Sequence, residues 1–493
     1  MHGQNSIGFQ RSAEGTLSFK SSNPSSGEKF QTAFIQATPD EVNRSVELAA
    51  NAFITYNFFA PQRRAHFLNE IAVQLRARAD ELKSMFCVES ALTAERAEQE
   101  LQRTIFQLES FAKALNEGEF FATIDNSNED NFLAIVPKLQ RRMQGVGPVV
   151  VFGASNFPLA YSTAGGDTVS ALAAGCPVIV KAHPFHAGTS SMVAEAILVA
   201  AQITQMPEGV FSHLLAEDFS VGQQLVSHPG IKAVGFTGSL EGGRALMDLA
   251  AVRREPIPVF AEMGSVNPMI LQADFIAKYE DQLDSIATSI CNAAGQFCTQ
   301  PGLIFVEECP KTKGFITSLG NRVADFGTST MLHSSIAEKY NALRQKAVSS
   351  EIEQVFEGEI KGENQGKNTL LVVTMEQFCS QETLQQEVFG PFSIVIHYAN
   401  QQELFKGLQK IAGALTASVF TEEQMDFQHP LIQLLSSKVG RIILNGLPTG
   451  VTVSSAMTHG GPFPASSDGR YTAVGMGSIY RWLRPVTLQN FSQ

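Results

Sequence analysis

At 493 residues the chain is too long for one simple core, and two or three domains are expected. Its 44% apolar and 17% charged content is that of an ordinary soluble globular protein. The formal net charge of −12, with no Lys/Arg run, argues against nucleic acid as a partner.

Six cysteines (Cys87, Cys176, Cys291, Cys298, Cys309 and Cys379) are thinly spread, with no CxxC pair. That spacing suits a reducing compartment and argues against a structural zinc site, so no metal is expected. Residues 1–20 lack the apolar core of a signal peptide, and the cytoplasm is the expected location. The apolar stretch 147–180 is broken by Gly165, Gly166, Asp167, Gly175 and Pro177, so it reads as buried strand–helix–strand and not as a membrane span.

Residues 1–40 read as an irregular arm with turns such as Ser21-Ser22-Asn23-Pro24. Over 38–115 the pattern becomes helical. Thr38-Pro39-Asp40-Glu41 is a start signal, with Thr38 as N-cap, Pro39 at the first helical position and two acids in the first turn. Residues 126–130 form a polar break, and 121–145 read as a two-stranded excursion too small for a domain.

From Pro148 the pattern changes. Val149-Val150-Val151-Phe152 is a continuous β-branched and aromatic run, as a strand buried on both faces requires. Helix is expected at 161–174, strand at 178–180, helix at 189–203, strands at 210–215 and 231–236 with a short helix between, helix at 239–251 and strand at 258–262. Such alternation gives a parallel sheet with right-handed crossovers, whose ligands bind at the carboxyl ends of the strands. A second α/β domain is expected over roughly 256–465, with strands at 303–306, 370–373, 393–396, 417–420 and 441–444. The tail from 466 carries the only tryptophan, Trp482, and ends in a strand-like 486–488.

Each candidate functional residue sits at the end of one of these elements. Gly295-Gln296-Phe297-Cys298-Thr299-Gln300-Pro301-Gly302 is a Gly-bounded loop between a helical pattern at 275–294 and the strand at 303–306. A thiol there is a nucleophile once local charge or dipoles favour its thiolate; otherwise it is a small apolar residue in a turn. Asn156, after the first strand of the parallel set, can aim its amide at an oxyanion, a donor worth about 2.7–4 kcal/mol, or brace its own turn. Lys181 at a strand end can reach ribose or phosphate, or lie in solvent. Gly235-Phe236-Thr237-Gly238-Ser239 opens a helix with Ser239 as cap and Gly243 one turn in, which suits an anion; it is not GxGxxG. Glu262 ends an apolar strand, as a cleft base or a solvated edge acid. Glu387-Val388-Phe389-Gly390-Pro391 sets an acid beside an aromatic ring, suited to a ribose and a planar ring, or to an ordinary turn.

Together, the Asn156 loop, Phe236-Thr237-Gly238-Ser239, Glu262-Met263-Gly264, the Cys298 loop and Glu387-Val388-Phe389-Gly390-Pro391 resemble the aldehyde dehydrogenase superfamily in order and approximate spacing, across nearly the whole chain. Phe152 to Ala160, His183-Pro184 and Met457-Thr458-His459-Gly460-Gly461-Pro462 look like the branch of 2,5-dioxovalerate (α-ketoglutaric semialdehyde) dehydrogenases, with NADP-linked long-chain enzymes as near relatives.

The resemblance implies an α/β fold. A Rossmann-like cofactor domain would comprise 1–120 and 146–255, a catalytic domain 256–465, and a small β oligomerisation element 121–145 with 466–493, giving a homodimer or homotetramer. It implies Cys298 as nucleophile, Asn156 and the Cys298 backbone N–H at the oxyanion, and Glu262 as the base that releases the acid. Lys181 and Ser239, with Gly238 and Gly243, would take the adenosine ribose and pyrophosphate; Glu387 and Phe389 would take the nicotinamide ribose and ring. NAD-preferring relatives commonly carry a Glu three residues after the strand-end Lys. Here Pro184 stands there, which favours NADP, while Glu217 and Asp218 oppose a 2′-phosphate; NAD use is also expected. The small-molecule aldehyde expected is 2,5-dioxopentanoate, against a long-chain or broad aldehyde range. A cysteine hydrolase would need a His base near Cys298, and none lies in a recognisable Cys/His motif. A CoA-acylating enzyme would usually lack Glu262. A non-enzymatic protein of the same fold would not need the intact set.

Overall fold

The computed structural model describes residues 2–126, 137–350 and 352–491. Of the expected polar break at 126–130, only Asn126 lies among them.

Two seven-stranded sheets organise the chain. The first contains β1 (Asn5–Ile7), β2 (Gln10–Ser12), β3 (Val149–Phe152), β4 (Val178–Lys181), β5 (Phe211–Leu214), β6 (Ala233–Thr237) and β7 (Val259–Glu262), in the order β7-β6-β3-β4-β5-β1-β2. Strands β3 to β7 are parallel; β1 and β2 join antiparallel at one edge. The expected irregular arm thus supplies two of its four short strands to this sheet. Three residues each are too few for a periodic signal, and their register comes from the waiting edge of β5.

Continuous apolar runs follow from burial on both faces. Val149, Val151, Val178 and Val180 enter one hydrophobic cluster, and Val150 and Ile179 enter the cluster on the opposite face. The second sheet repeats this. Its strands are β8 (Pro268–Leu271), β9 (Leu303–Glu307), β10 (Gln354–Glu357), β11 (Thr369–Thr374), β12 (Phe392–Tyr398), β13 (Ala414–Phe420) and β14 (Val439–Leu444), in the order β10-β11-β12-β9-β8-β13-β14. Only the β10–β11 pair is antiparallel. Leu303 and Phe305 face one core, Ile304 and Val306 the other.

The helical stretch resolves into Pro39–Tyr56, Pro61–Ala77, Ala79–Ser90 and Ala94–Asn116. Thr38 caps the first in a capping box: its Oγ1 accepts from the Glu41 N–H at 3.2 Å, and Glu41 Oε2 accepts from the Thr38 N–H at 2.8 Å. Two expected helices are shorter than their apolar patterns. Residues 157–165 are used in turns, and the helix runs from Gly166 to Ala174. The pattern at 275–294 breaks into Ala273–Ile276, the 3-10 turn Tyr279–Gln282 and Leu283–Cys291. Ala293, Ala294 and Gly295 then take positive φ of 50°, 55° and 62°. A Cβ on Gly295 would lie 2.3 Å from the Gly390 carbonyl oxygen, so this close approach needs glycine.

A three-stranded sheet joins Ile124–Asp125, Leu139–Gly145 and Leu483–Gln489, so the excursion gains a third strand from the tail. The stretch 466–493 divides. Ser466 bridges to Glu262 on β7, and the Ser467 N–H bonds the Ala261 carbonyl at 2.9 Å. Trp482 lies in the core of the first sheet with its Nε1 donating to Ser170 Oγ at 2.8 Å. Among the described residues no helix is long and apolar enough to cross a membrane, and no three His, Cys, Asp or Glu side chains are placed to hold a metal ion.

Candidate active site

In the first sheet the chain runs from β3 outward to β5 and then returns to place β6 and β7 on the other side of β3. The carboxyl ends of β3 and β6 therefore flank a topological switch point, where crossovers leave a crevice. Asn156 follows β3, Lys181 ends β4, Gly238 and Ser239 follow β6, and Glu262 ends β7.

Ser239 caps the helix Leu240–Ala251, its Oγ accepting from the Gly242 N–H at 3.2 Å. The earlier N–H groups of that turn stay open toward an anion. The Gly238 N–H bonds the Glu262 carbonyl at 3.0 Å, tying the two strand ends together. Gly243 is buried, and a Cβ there would lie 2.5 Å from Met263 Sδ, so a side chain would have to displace that thioether. Lys181 Nζ donates to the Ala216 carbonyl at 2.9 Å, and burial lowers its pKa to about 8 against the pull of Asp218. Glu387 lies over the Gly264 backbone, where a Cβ would meet its Oε2 at 2.1 Å, and accepts from the Ser265 N–H at 3.1 Å. Burial raises its carboxyl to about 7. Phe389 is partly buried beside Gly390. A helix N-terminus at Ser239 and the carboxyl of Glu387 are groups that suit an NAD(P) dinucleotide.

The second set converges on Cys298. Asn156 Nδ2 donates to the Gln296 carbonyl at 2.9 Å, so the amide is pinned to the cysteine loop and keeps one N–H free. Asn267 holds the other side of the loop, donating to the carbonyls of Cys298 at 2.8 Å and Gln300 at 2.9 Å. Burial pushes the Cys298 thiol up to about 12; the Glu262 and Glu387 carboxylates add to this, and the thiol's own backbone N–H and Arg103 oppose it. Glu262 is 8% exposed, and its Oε2 is buried with no hydrogen-bond partner. Burial raises its carboxyl well above the usual range; Arg481 opposes the shift and Asp167 adds to it.

Sequence reasoning missed four residues. His459 Nε2 lies 3.7 Å from Cys298 Sγ, so a histidine does stand beside the thiol. Burial, then the charges of Arg441, Arg103 and Arg481, lower it to about 3, so it is a neutral imidazole and a poor proton acceptor. The Met457 to Pro462 motif contains it without revealing its place. Asn267 carries no local signal: it is fully buried at φ 41° immediately before β8. Arg103 and Arg441 complete the list; both charges act on Cys298 and His459. An aromatic wall borders the pocket, with ring centroids of Phe157 and Phe297 6.0 Å apart and of Phe157 and Tyr161 4.9 Å apart.

A family model described as "Aldehyde dehydrogenase family" matches residues 9–475. The chain is 42% identical to "Alpha-ketoglutaric semialdehyde dehydrogenase" of Acinetobacter baylyi, covering 100% of this chain and 94% of the relative. It is 41% identical to "Alpha-ketoglutaric semialdehyde dehydrogenase 2" of Azospirillum brasilense, covering 99% and 94%. Among solved structures, a 1-pyrroline-5-carboxylate dehydrogenase from Thermus with bound NAD superposes with a TM-score of 0.82 at 20% identity, covering 99% of this chain and 93% of that one; it is like this chain in fold.

Proposed function

We propose that this chain, which belongs to the aldehyde dehydrogenase family, oxidises a short aldehyde with a distal carboxylate, 2,5-dioxopentanoate, to 2-oxoglutarate. The observation that carries this reading is the 42% identity, over the whole chain, to a relative named for that semialdehyde.

The geometry supports the following residue roles. Cys298 releases its proton to solvent and its thiolate sulfur bonds the aldehyde carbon. The free N–H of the Asn156 amide and the Cys298 backbone N–H then hold the oxyanion. NAD(P), when bound, would supply the hydride acceptor for this step. The acyl group stays on Cys298 as a thioester, and the aromatic wall keeps bulk water from it. Glu262 removes a proton from one admitted water, which attacks the acyl carbon; the acid leaves and the Cys298 sulfur is restored. Lys181, Gly238, Ser239 and Gly243 would hold the adenosine ribose and pyrophosphate, and Glu387 and Phe389 would orient the nicotinamide ribose and ring.

NADP is the preferred nucleotide in this proposal, because Pro184 leaves no carboxylate three residues after Lys181. The acids at Glu217 and Asp218 are the opposing feature. A homodimer or homotetramer, built through 121–145 and the strand Leu483–Gln489, and a cytoplasmic location complete it. The test is NAD(P)H production from 2,5-dioxopentanoate and from a ten-carbon aldehyde with each nucleotide. A higher kcat/KM for the long aldehyde would refute the substrate, and a clear NAD preference would show that Glu217 and Asp218 dominate the ribose site.

A further inference from the structure

Four arginines border the Cys298 pocket, and they divide by partner. Arg96 donates from Nε to Glu100 Oε1 at 2.8 Å, its guanidinium lying 4.4 Å from the Phe157 ring centroid and 4.8 Å from that of Phe297. Arg481 donates from Nη2 to Asp167 Oδ1 at 2.6 Å. Arg103 and Arg441 have no carboxylate partner among the described residues, only neutral oxygens. Arg103 donates to the Tyr161 hydroxyl at 3.0 Å and to the Val451 carbonyl, and its Nε is buried without a partner. Arg441 donates to the carbonyls of Gly450 at 3.0 Å and Pro448 at 2.7 Å.

The two come from different parts of the fold, Arg103 from the helix Ala94–Asn116 and Arg441 from β14, yet both grip the segment 448–451. A partly buried guanidinium without an anion is costly, and its planar fork suits a carboxylate. The need is specific to this pocket. Once ionised, the Glu262 and Glu387 carboxylates put negative charge beside Cys298, so an anionic substrate is helped by a cation at its far end.

We propose that Arg103 and Arg441 bind the distal carboxylate of the substrate and so set the enzyme's choice of aldehyde. This assignment rests on the carboxylated-aldehyde reading above. The pair anchors the end that does not react, and that binding holds the aldehyde carbon at the Cys298 sulfur.

The experiment compares 2,5-dioxopentanoate with pentanal, an aldehyde of the same length without the carboxylate, in the wild type and in Arg103→Met, Arg441→Met, Arg103→Lys and Arg441→Lys. Each Met variant should lose roughly 10- to 150-fold in kcat/KM for the acid, mostly through KM, since a hydrogen bond to a charged group is lost. Pentanal should lose far less, only what the changed charge beside Cys298 costs, so the acid-to-pentanal ratio of kcat/KM should fall in each Met variant and recover in part in the Lys variants. Equal losses on both substrates, or none on the acid, would overturn the assignment and leave the two arginines as supports for 448–451. If the wild type itself prefers pentanal, the substrate reading fails. The pair is then judged by inhibition with glutarate, an unreactive dicarboxylate: inhibition weakened in the Met variants supports it, and inhibition unchanged overturns it.

Discussion

At the scale of single residues, burial pushes both Cys298 and Glu262 toward their protonated forms. A thiol raised to about 12 reacts only through its small thiolate fraction. Alkylation of Cys298 by iodoacetamide without nucleotide should therefore be slow at pH 7 and rise about tenfold per pH unit; a rate independent of pH would mean the sulfur is already ionised. Cys298→Ala should lose all oxidation while keeping nucleotide binding, read by fluorescence titration. For Glu262 the sign is equally direct. A base with a raised pKa gains its working form as pH rises through that pKa, so turnover limited by thioester hydrolysis should climb above the ordinary carboxylate range. Glu262→Gln should lose that limb and lower kcat by roughly 10²- to 10⁴-fold. A burst of NAD(P)H near one per site should survive, with an acyl adduct on Cys298 visible by mass. If the burst disappears too, Glu262 is needed to ionise Cys298.

At the scale of elements, the site depends on two tight contacts. The first is the Arg481–Asp167 pair, which ties the 3-10 turn Met476–Trp482 to the helix Gly166–Ala174 packed on β3 and β4. Both side chains are largely buried, so Arg481→Met leaves Asp167 uncompensated and should cost about 3–5 kcal/mol in denaturant unfolding. Because the Arg481 charge also restrains Glu262, the pH limb of turnover should move upward in that variant. A limb that stays in place would separate Glu262 from this pair. The second contact is Gly295 against Gly390. Gly295→Ala forces a Cβ into a carbonyl at positive φ, a strain of order 1–3 kcal/mol. It should lower kcat more than nucleotide affinity, because the nearest consequence is a displaced Cys298 loop.

At the scale of the whole molecule, the two sheets have separate cores, and the tail crosses from one set of contacts to another. Trp482, the only tryptophan, is fully buried in the core of the first sheet. Its emission should report the unfolding of that half, while circular dichroism reports both. Coincident transitions would make the two halves one cooperative unit, and separate transitions would make them independent. The edge strand Leu483–Gln489 pairs with Leu139–Gly145 on one side and has no strand on its other side among the described residues. Such an edge invites a second chain. Light scattering should give twice or four times the mass of one chain, and deletion of 483–493 should lower it.

Most of the fold was legible because its signals are local. Val149 to Phe152 is apolar at every position, and only a strand buried on both faces requires that. Thr38 and Ser239 announce helix starts through bonds that reach three residues along the chain. The Gly-bounded loop at 295–302 presents Cys298 by the same short-range grammar. What the sequence could not specify is convergence. The strands at Asn5 and Gln10 exist because β5 offers an edge some two hundred positions away, and the pattern at 275–294 breaks where Gly295 must meet Gly390. His459 reaches Cys298 across 161 residues of chain. That Arg103 and Arg441 lack a carboxylate while Arg96 and Arg481 have one is a property of the packed pocket, not of any of the four positions. Periodicity and caps are decided within a turn or a pleat. Which charges share a buried space is decided only when distant segments close on one another, and that closure fixed the chemistry of this site.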